Sequence, residues 1–337
     1  MTHAQTFKLG DFTLQSGRVL PDARLVYAVY GEMNAAKSNV VLYPTSYGAQ
    51  HTDIAWAIGA DRILDPNRWC VVVVNKFGNG QSTSPSNVAA PVARGRWPAV
   101  THVDNVTAQA RLLTEELGVE ELALVYGWSM GGQQALHWAA LHPDRVRRIC
   151  AVCTSARTSV HNKVFLEGVK GALTADPNWT GTHFRAKPEA GLRAMGRVYA
   201  GWAMSQAFYR QGLHISAANP TLEDFLVRVW EGNFLRRDGD DLLAMLETWT
   251  LSDISANDLY QGDLNRALGA IRARAMIMPS RTDLYFTPED AEAEARRMPN
   301  AEFRPIESVW GHRAGNPIGH APDRDFIRRA VEDLTAD

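Results

Sequence analysis

The sequence predicts an α/β protein: a mostly parallel central sheet, antiparallel strands at its N-terminus, and a helical segment inserted late in the chain. Three observations predict it. Short apolar runs alternate with helical periodicity over much of the 337-residue chain, the pattern of buried parallel strands joined by helices on both sheet faces. Leu122 to Trp138 reads as strand, tight turn and helix in immediate succession. After Ser155 the alternation stops, and it resumes only at Ala273.

Each element has its own signal. Residues 6–31 alternate apolar and polar, with Gly10-Asp11 and Pro21-Asp22 as turn signals, and predict an antiparallel hairpin or meander. Val40 to Tyr43 and Trp69 to Val74 are short buried strands. Asp104 to Leu117 carries Val106, Ala110, Leu113 and Leu117 on one helical face. Leu122 to Tyr126 is a strand, the helix after it runs to about His142, and Val146 to Val152 is the next strand. Residues 158–265 show helical periodicity, four tryptophans and no strand, so they form an inserted cap; residues 1–157 and 266–337 form the core domain. Ala273 to Met278 returns to strand, Thr287-Pro288-Glu289-Asp290 starts a helix reaching about Met298, Phe303 to Ile306 is a last strand, and Asp323 to Leu334 a last helix.

Composition narrows the function classes. A 45% hydrophobic content suffices for one large core with an insertion, and a net charge of -2 offers no basic field for nucleic acid or an anionic membrane. No apolar run has the length of a membrane span, and the N-terminus lacks the apolar stretch of a signal peptide. The three cysteines, Cys70, Cys150 and Cys153, fall in predicted strands, which points to reduced thiols and a cytoplasmic setting. Gly78-Asn79-Gly80 follows a strand but opens no helix, so it is a turn and not a dinucleotide loop. No histidine–carboxylate group has metal-ligand spacing, and no cofactor is expected.

The chemistry starts at Gly127-Trp128-Ser129-Met130-Gly131. Between a strand and a helix, this G-x-S-x-G turn lifts the serine hydroxyl clear of the backbone, and the glycines avoid collisions across the turn. Ser129 is therefore the candidate nucleophile. It needs a base and a carboxylate to orient that base, in the chain order serine, acid, histidine. His312, just after the last predicted strand, is preferred over His137 and His142 on the elbow helix, over His161, His183 and His214 in the cap, and over His320 near the last helix. Asp283, just past the strand Ala273–Met278, is preferred over Asp253 and Asp258. The oxyanion hole is expected from the backbone N–H groups of Met130 and Ser46, with Thr45, Tyr47 and Trp128 in the substrate pocket.

With these residues in view, the chain resembles the homoserine O-acetyltransferase family of α/β-hydrolases over nearly its whole length. The resemblance rests on Gly127 to Leu136, on Trp97-Pro98-Ala99-Val100-Thr101, on Ser280-Arg281-Thr282-Asp283 and on Gly311-His312. It implies a Ser129–His312–Asp283 triad, an acyl-enzyme formed from acetyl-CoA, a helical lid over a deep tunnel and often a dimer built through the lid. Four positions depart from the family pattern. Val103 stands where an arginine is usual, Arg313 follows His312 where an aspartate is usual, Trp128 precedes Ser129 where a glycine is usual, and Pro44-Thr45-Ser46-Tyr47-Gly48 replaces His-Ala-Leu-Thr-Gly. Loss of the arginine favours hydrolysis of a small-acyl ester or thioester over CoA-dependent acyl transfer. A non-catalytic binding protein of the same fold is the third reading.

Overall fold

The computed structural model describes residues 3–336. Its single sheet runs, from one edge to the other, through residues 5–13, 19–30, 70–74, 40–44, 124–128, 148–152, 274–278 and 301–303. The strands are β1 (Gln5–Thr13), β2 (Val19–Tyr30), β3 (Val40–Pro44), β4 (Cys70–Val74), β5 (Leu124–Trp128), β6 (Arg148–Val152), β7 (Arg274–Met278) and β8 (Ala301–Phe303). β1 pairs antiparallel with β2, and β2 with β4; every other pairing is parallel. The longer helices are α1 (His102–Arg111), α2 (Met130–Leu141), α3 (Val160–Thr174), α4 (Glu189–Ala203), α5 (Gly239–Thr250), α6 (Pro288–Ala295) and α7 (Ala321–Thr335).

The central strands read as continuous apolar runs because both sheet faces are covered. Val40, Leu42, Val72 and Val74 enter one core, while Val41, Tyr43, Val71 and Val73 enter the core on the opposite face. Each fully buried valine or leucine contributes about 1.5–3 kcal/mol relative to exposure, so β3 and β4 are anchored from two sides. A third apolar cluster lies among the helices between β6 and β7, with Phe165, Leu192, Met195, Met245 and Trp249. It also takes in Met130, at the start of α2, and Tyr285 and Phe286, from the loop after β7. The helical segment thus packs over the carboxyl ends of the strands, where the candidate residues sit. Among the described residues, no helix is long and apolar enough to cross a membrane.

Several sequence expectations shift. The β1–β2 turn is at Leu14–Arg18, closed by Leu14 N–H to Arg18 O (2.8 Å) and Gly17 N–H to Leu14 O (2.8 Å). Gly10 sits inside β1, at a break in register that its φ of +67° permits, and Asp22 lies inside β2. A bulge and a turn share the same glycine signal, and only the pairing partner separates them. α1 starts two residues earlier than expected, because Thr101 and Asp104 form a reciprocal cap: Thr101 N–H donates to the Asp104 carboxylate (2.7 Å) and Asp104 N–H to Thr101 Oγ1 (3.2 Å). β8 is displaced toward the N-terminus, leaving Ile306 in a single bridge to Ser280. Cys153 lies one residue beyond β6 with φ +44°. The expected start of α6 is observed, with Thr287 Oγ1 accepting from Asp290 N–H.

Candidate active site

Ser129 caps α2 at the end of β5, with φ 57° and ψ −129°, a conformation non-glycine residues rarely adopt. Neighbouring bonds hold it there: Ser129 N–H donates to Val152 O (2.9 Å), and Thr154 Oγ1 donates to Ser129 O (2.8 Å). A Cβ at Gly127 would stand 2.2 Å from Gly131 O, and one at Gly131 would stand 2.7 Å from Pro44 O. The turn therefore closes only with glycine at both places. The Ser129 hydroxyl makes no capping bond to the helix, and the residue lines a cavity of about 650 Å³.

His312 sits in a short helical turn after β8 and lines the same cavity. Its Nδ1 lies 2.6 Å from Asp283 Oδ2, and both residues are buried. The other carboxylate oxygen of Asp283 accepts from Tyr285 N–H (3.1 Å) and Phe286 N–H (3.1 Å). The carboxylate is thus aimed by its own loop, as an orienting acid requires. The loops carrying acid and base are tied by Thr282: its Oγ1 accepts from Gly311 N–H (3.0 Å) and donates to Ser308 O (2.9 Å). Gly311 (φ +59°) packs so closely under the helical segment that a Cβ would lie 2.7 Å from Ala203 O.

Among the described residues, neither the Met130 N–H nor the Ser46 N–H has a protein acceptor. Met130 N–H is at the start of α2, where the helix dipole favours a negative charge. Ser46 lines the cavity, and so do Tyr47 and Trp128. Tyr47 stacks on Tyr199 at 5.9 Å and donates to Leu242 O (3.3 Å). Thr45 does not belong to the pocket. It lies behind the wall, fully buried, with Oγ1 accepting from Lys76 N–H (3.2 Å) and its carbonyl accepting from Gln134 Nε2 (3.0 Å). The alternation along the end of β3 turns it away from the side that Ser46 faces.

The rival acids and bases lie away from Ser129 or are engaged elsewhere. Asp253 pairs with Arg157 (2.6 Å), and Asp258 is on the surface. His137 is buried against Gln133 O (2.7 Å), and burial holds its imidazole down at about 4. His320 Nδ1 lies 2.9 Å from Asp323 at the start of α7. Val103, which stands where the resembled family usually has an arginine, is absent from the cavity lining. Its replacement therefore carries less weight between hydrolysis and transfer than the sequence suggested. Cys153 Sγ, an Asp283 oxygen and a His312 nitrogen lie within 4.8 Å of one another. The acid and base already engage each other, and burial drives the thiol well above its ordinary range.

Sequence reasoning missed most of the wall. Tyr199, Phe208, Phe234 and Trp310 bring aromatic surface from the helical segment and the histidine loop, and Tyr285 and Arg313 complete the space around His312. The helical periodicity and the four tryptophans of residues 158–265 are legible in the sequence, but not which rings face inward.

Residues 44–312 match the α/β hydrolase fold family, and the chain belongs to it. The chain is 38% identical to ethyl acetate hydrolase of Pseudomonas veronii, over 91% of this chain and 88% of that protein. It is 32% identical to homoserine O-succinyltransferase of Methylibium petroleiphilum, over 89% of this chain and 86% of that protein. Among solved structures, the acetyl esterase MekB superposes with a TM-score of 0.95 at 35% identity, covering 99% of this chain and 97% of that one. The protein is an α/β-hydrolase-fold enzyme whose relatives include both esterases and homoserine acyltransferases, in line with the family resemblance of the sequence.

Proposed function

We propose that this chain hydrolyses esters of small acyl groups through a Ser129–His312–Asp283 triad. The observation that carries the reading is the His312–Asp283 pair at 2.6 Å, opening onto the cavity that Ser129 also lines. Ser129 Oγ attacks the ester carbonyl while His312 Nε2 takes its proton, and Asp283 steadies the resulting imidazolium. The N–H groups of Met130 and Ser46 receive the oxyanion. His312 then protonates the departing alkoxide, leaving an acyl group on Ser129. Water, deprotonated by His312, attacks that acyl group, and collapse releases the carboxylic acid and restores the serine. Residues 158–265 act as a cap that shields these steps. The similarity to an ethyl acetate hydrolase and to an acetyl esterase supports a short acyl group. The test is acid release from ethyl acetate: wild type turns it over, and Ser129→Ala does not. Unimpaired turnover by the variant would refute the assignment.

Similarity to a homoserine O-succinyltransferase supports a second reading, acyl transfer from an acyl-CoA thioester. Thiol release from acetyl-CoA that strictly requires homoserine would favour it over hydrolysis. A cytoplasmic setting is supported by three free, buried cysteines. A homodimer through the cap is supported by Val160 and Val164, which are 80% and 60% exposed one turn apart on α3.

A further inference from the structure

Arg313 follows His312 directly and lines the same cavity. Three arginines and one aspartate are the formally charged residues of that lining. Two of the arginines are committed: Arg236 pairs with Asp53 (3.0 Å), and Arg237 pairs with Asp53 and donates to Gly48 O (2.5 Å). Among the described residues, the Arg313 guanidinium has neither an ion pair nor a hydrogen bond; only its backbone is bonded, its N–H donating to Trp310 O (3.1 Å) and its carbonyl accepting from Asn316 N–H (3.0 Å). The Tyr285 hydroxyl, in the same lining and close enough for the Arg313 charge to act on it, is buried and also has no partner. A guanidinium drawn out of bulk water without a counter-charge is costly, as is a buried phenol with nothing to donate to. Both costs disappear if the cavity receives an anion. A planar guanidinium matches a carboxylate with two parallel bonds, and a phenol can add a third.

We propose that Arg313, with the Tyr285 hydroxyl beside it, anchors a carboxylate on the substrate, so that the site prefers esters bearing one negative charge near the scissile bond. This rests on the ester-hydrolase reading above and names its substrate class. The carboxylate could belong to the acyl or to the alcohol part, and two substrate pairs separate these: monoethyl succinate against ethyl pentanoate, and O-acetylglycolate against propyl acetate. Wild type is expected to favour the anionic member of at least one pair by about tenfold or more in kcat/KM, the effect of a hydrogen bond to a charged group. Arg313→Met should erase that preference, chiefly through KM, and Arg313→Lys should restore part of it. A preference unchanged in Arg313→Met, or none in wild type that still hydrolyses ethyl acetate, overturns the anchor and leaves the hydrolase reading standing. If wild type turns over no ester, calorimetry decides. Monoethyl succinate binding to Ser129→Ala that is lost in Ser129→Ala/Arg313→Met upholds the anchor without the reaction; binding indifferent to Arg313, or no binding, overturns it.

Discussion

The Trp128 indole N–H donates to the backbone carbonyl of His312 at 3.2 Å. The residue before the proposed nucleophile thereby holds the loop that carries the proposed base. The indole also lies 5.0 Å from the imidazole, centroid to centroid. A glycine at 128 could do neither. Trp128→Phe keeps the ring and removes the bond. It should lower kcat by about fivefold, the worth of one neutral hydrogen bond, with little change in KM or in melting temperature. A loss expressed wholly in KM would assign Trp128 to substrate binding instead.

Thr282 joins the acid and base loops through its hydroxyl. Thr282→Val is nearly isosteric and leaves Gly311 N–H and Ser308 O unpaired. Urea unfolding should show a loss of about 1–3 kcal/mol, with a fall in kcat as the histidine loop loosens. Full stability in the variant would mean that other contacts hold the loop.

Asp283 and Asp253 offer a direct contrast. Asp283→Asn should cost on the order of 10⁴ in kcat, as in other triads. Asp253 is engaged by Arg157, so Asp253→Asn should leave kcat within a few-fold of wild type. Initial rates on a p-nitrophenyl ester separate the two, and the reverse order of damage would place the acid wrongly.

Lys76 is fully buried, with Met130 Sδ as the acceptor for its amine at 3.4 Å. Burial pulls the amine down from 10.5 to about 7. Between those values the folded chain has shed a proton that the unfolded chain keeps, so stability rises with pH across that window. Below about pH 7 both states are protonated and the burial penalty is complete. Lys76→Met should therefore be more stable than wild type at pH 7, by on the order of a few kcal/mol at roughly 1.4 per pH unit. The gap should narrow toward pH 10.5. Urea midpoints of both proteins across that range check this, and a constant gap would mean that the amine does not titrate there.

Much of this was legible in the chain because the signals are local. Gly127 to Gly131 closes only between a strand and a helix, and Thr287 with Asp290 is a cap within four residues. Asp283 and His312 are preferred in the sequence on chain order together with their places just past predicted strands. What escaped depends on contacts distant in sequence. Gly10 is a bulge because it pairs with Ala23, only one residue from the Arg24 that faces Lys8. Thr45 turns inward because Lys76 and Gln134 wait behind it. Arg313 was visible as a departure from a family pattern, but its lack of a counter-charge is a property of the folded cavity alone.

The central claim is that Ser129 carries the acyl group. Rapid acid quench after mixing with p-nitrophenyl acetate, followed by intact-mass and peptide analysis, tests it most directly. A mass increase of one acetyl group is expected, located on the peptide containing Ser129 and absent from Ser129→Ala. Steady turnover with no adduct, or an adduct that persists in Ser129→Ala, would contradict it.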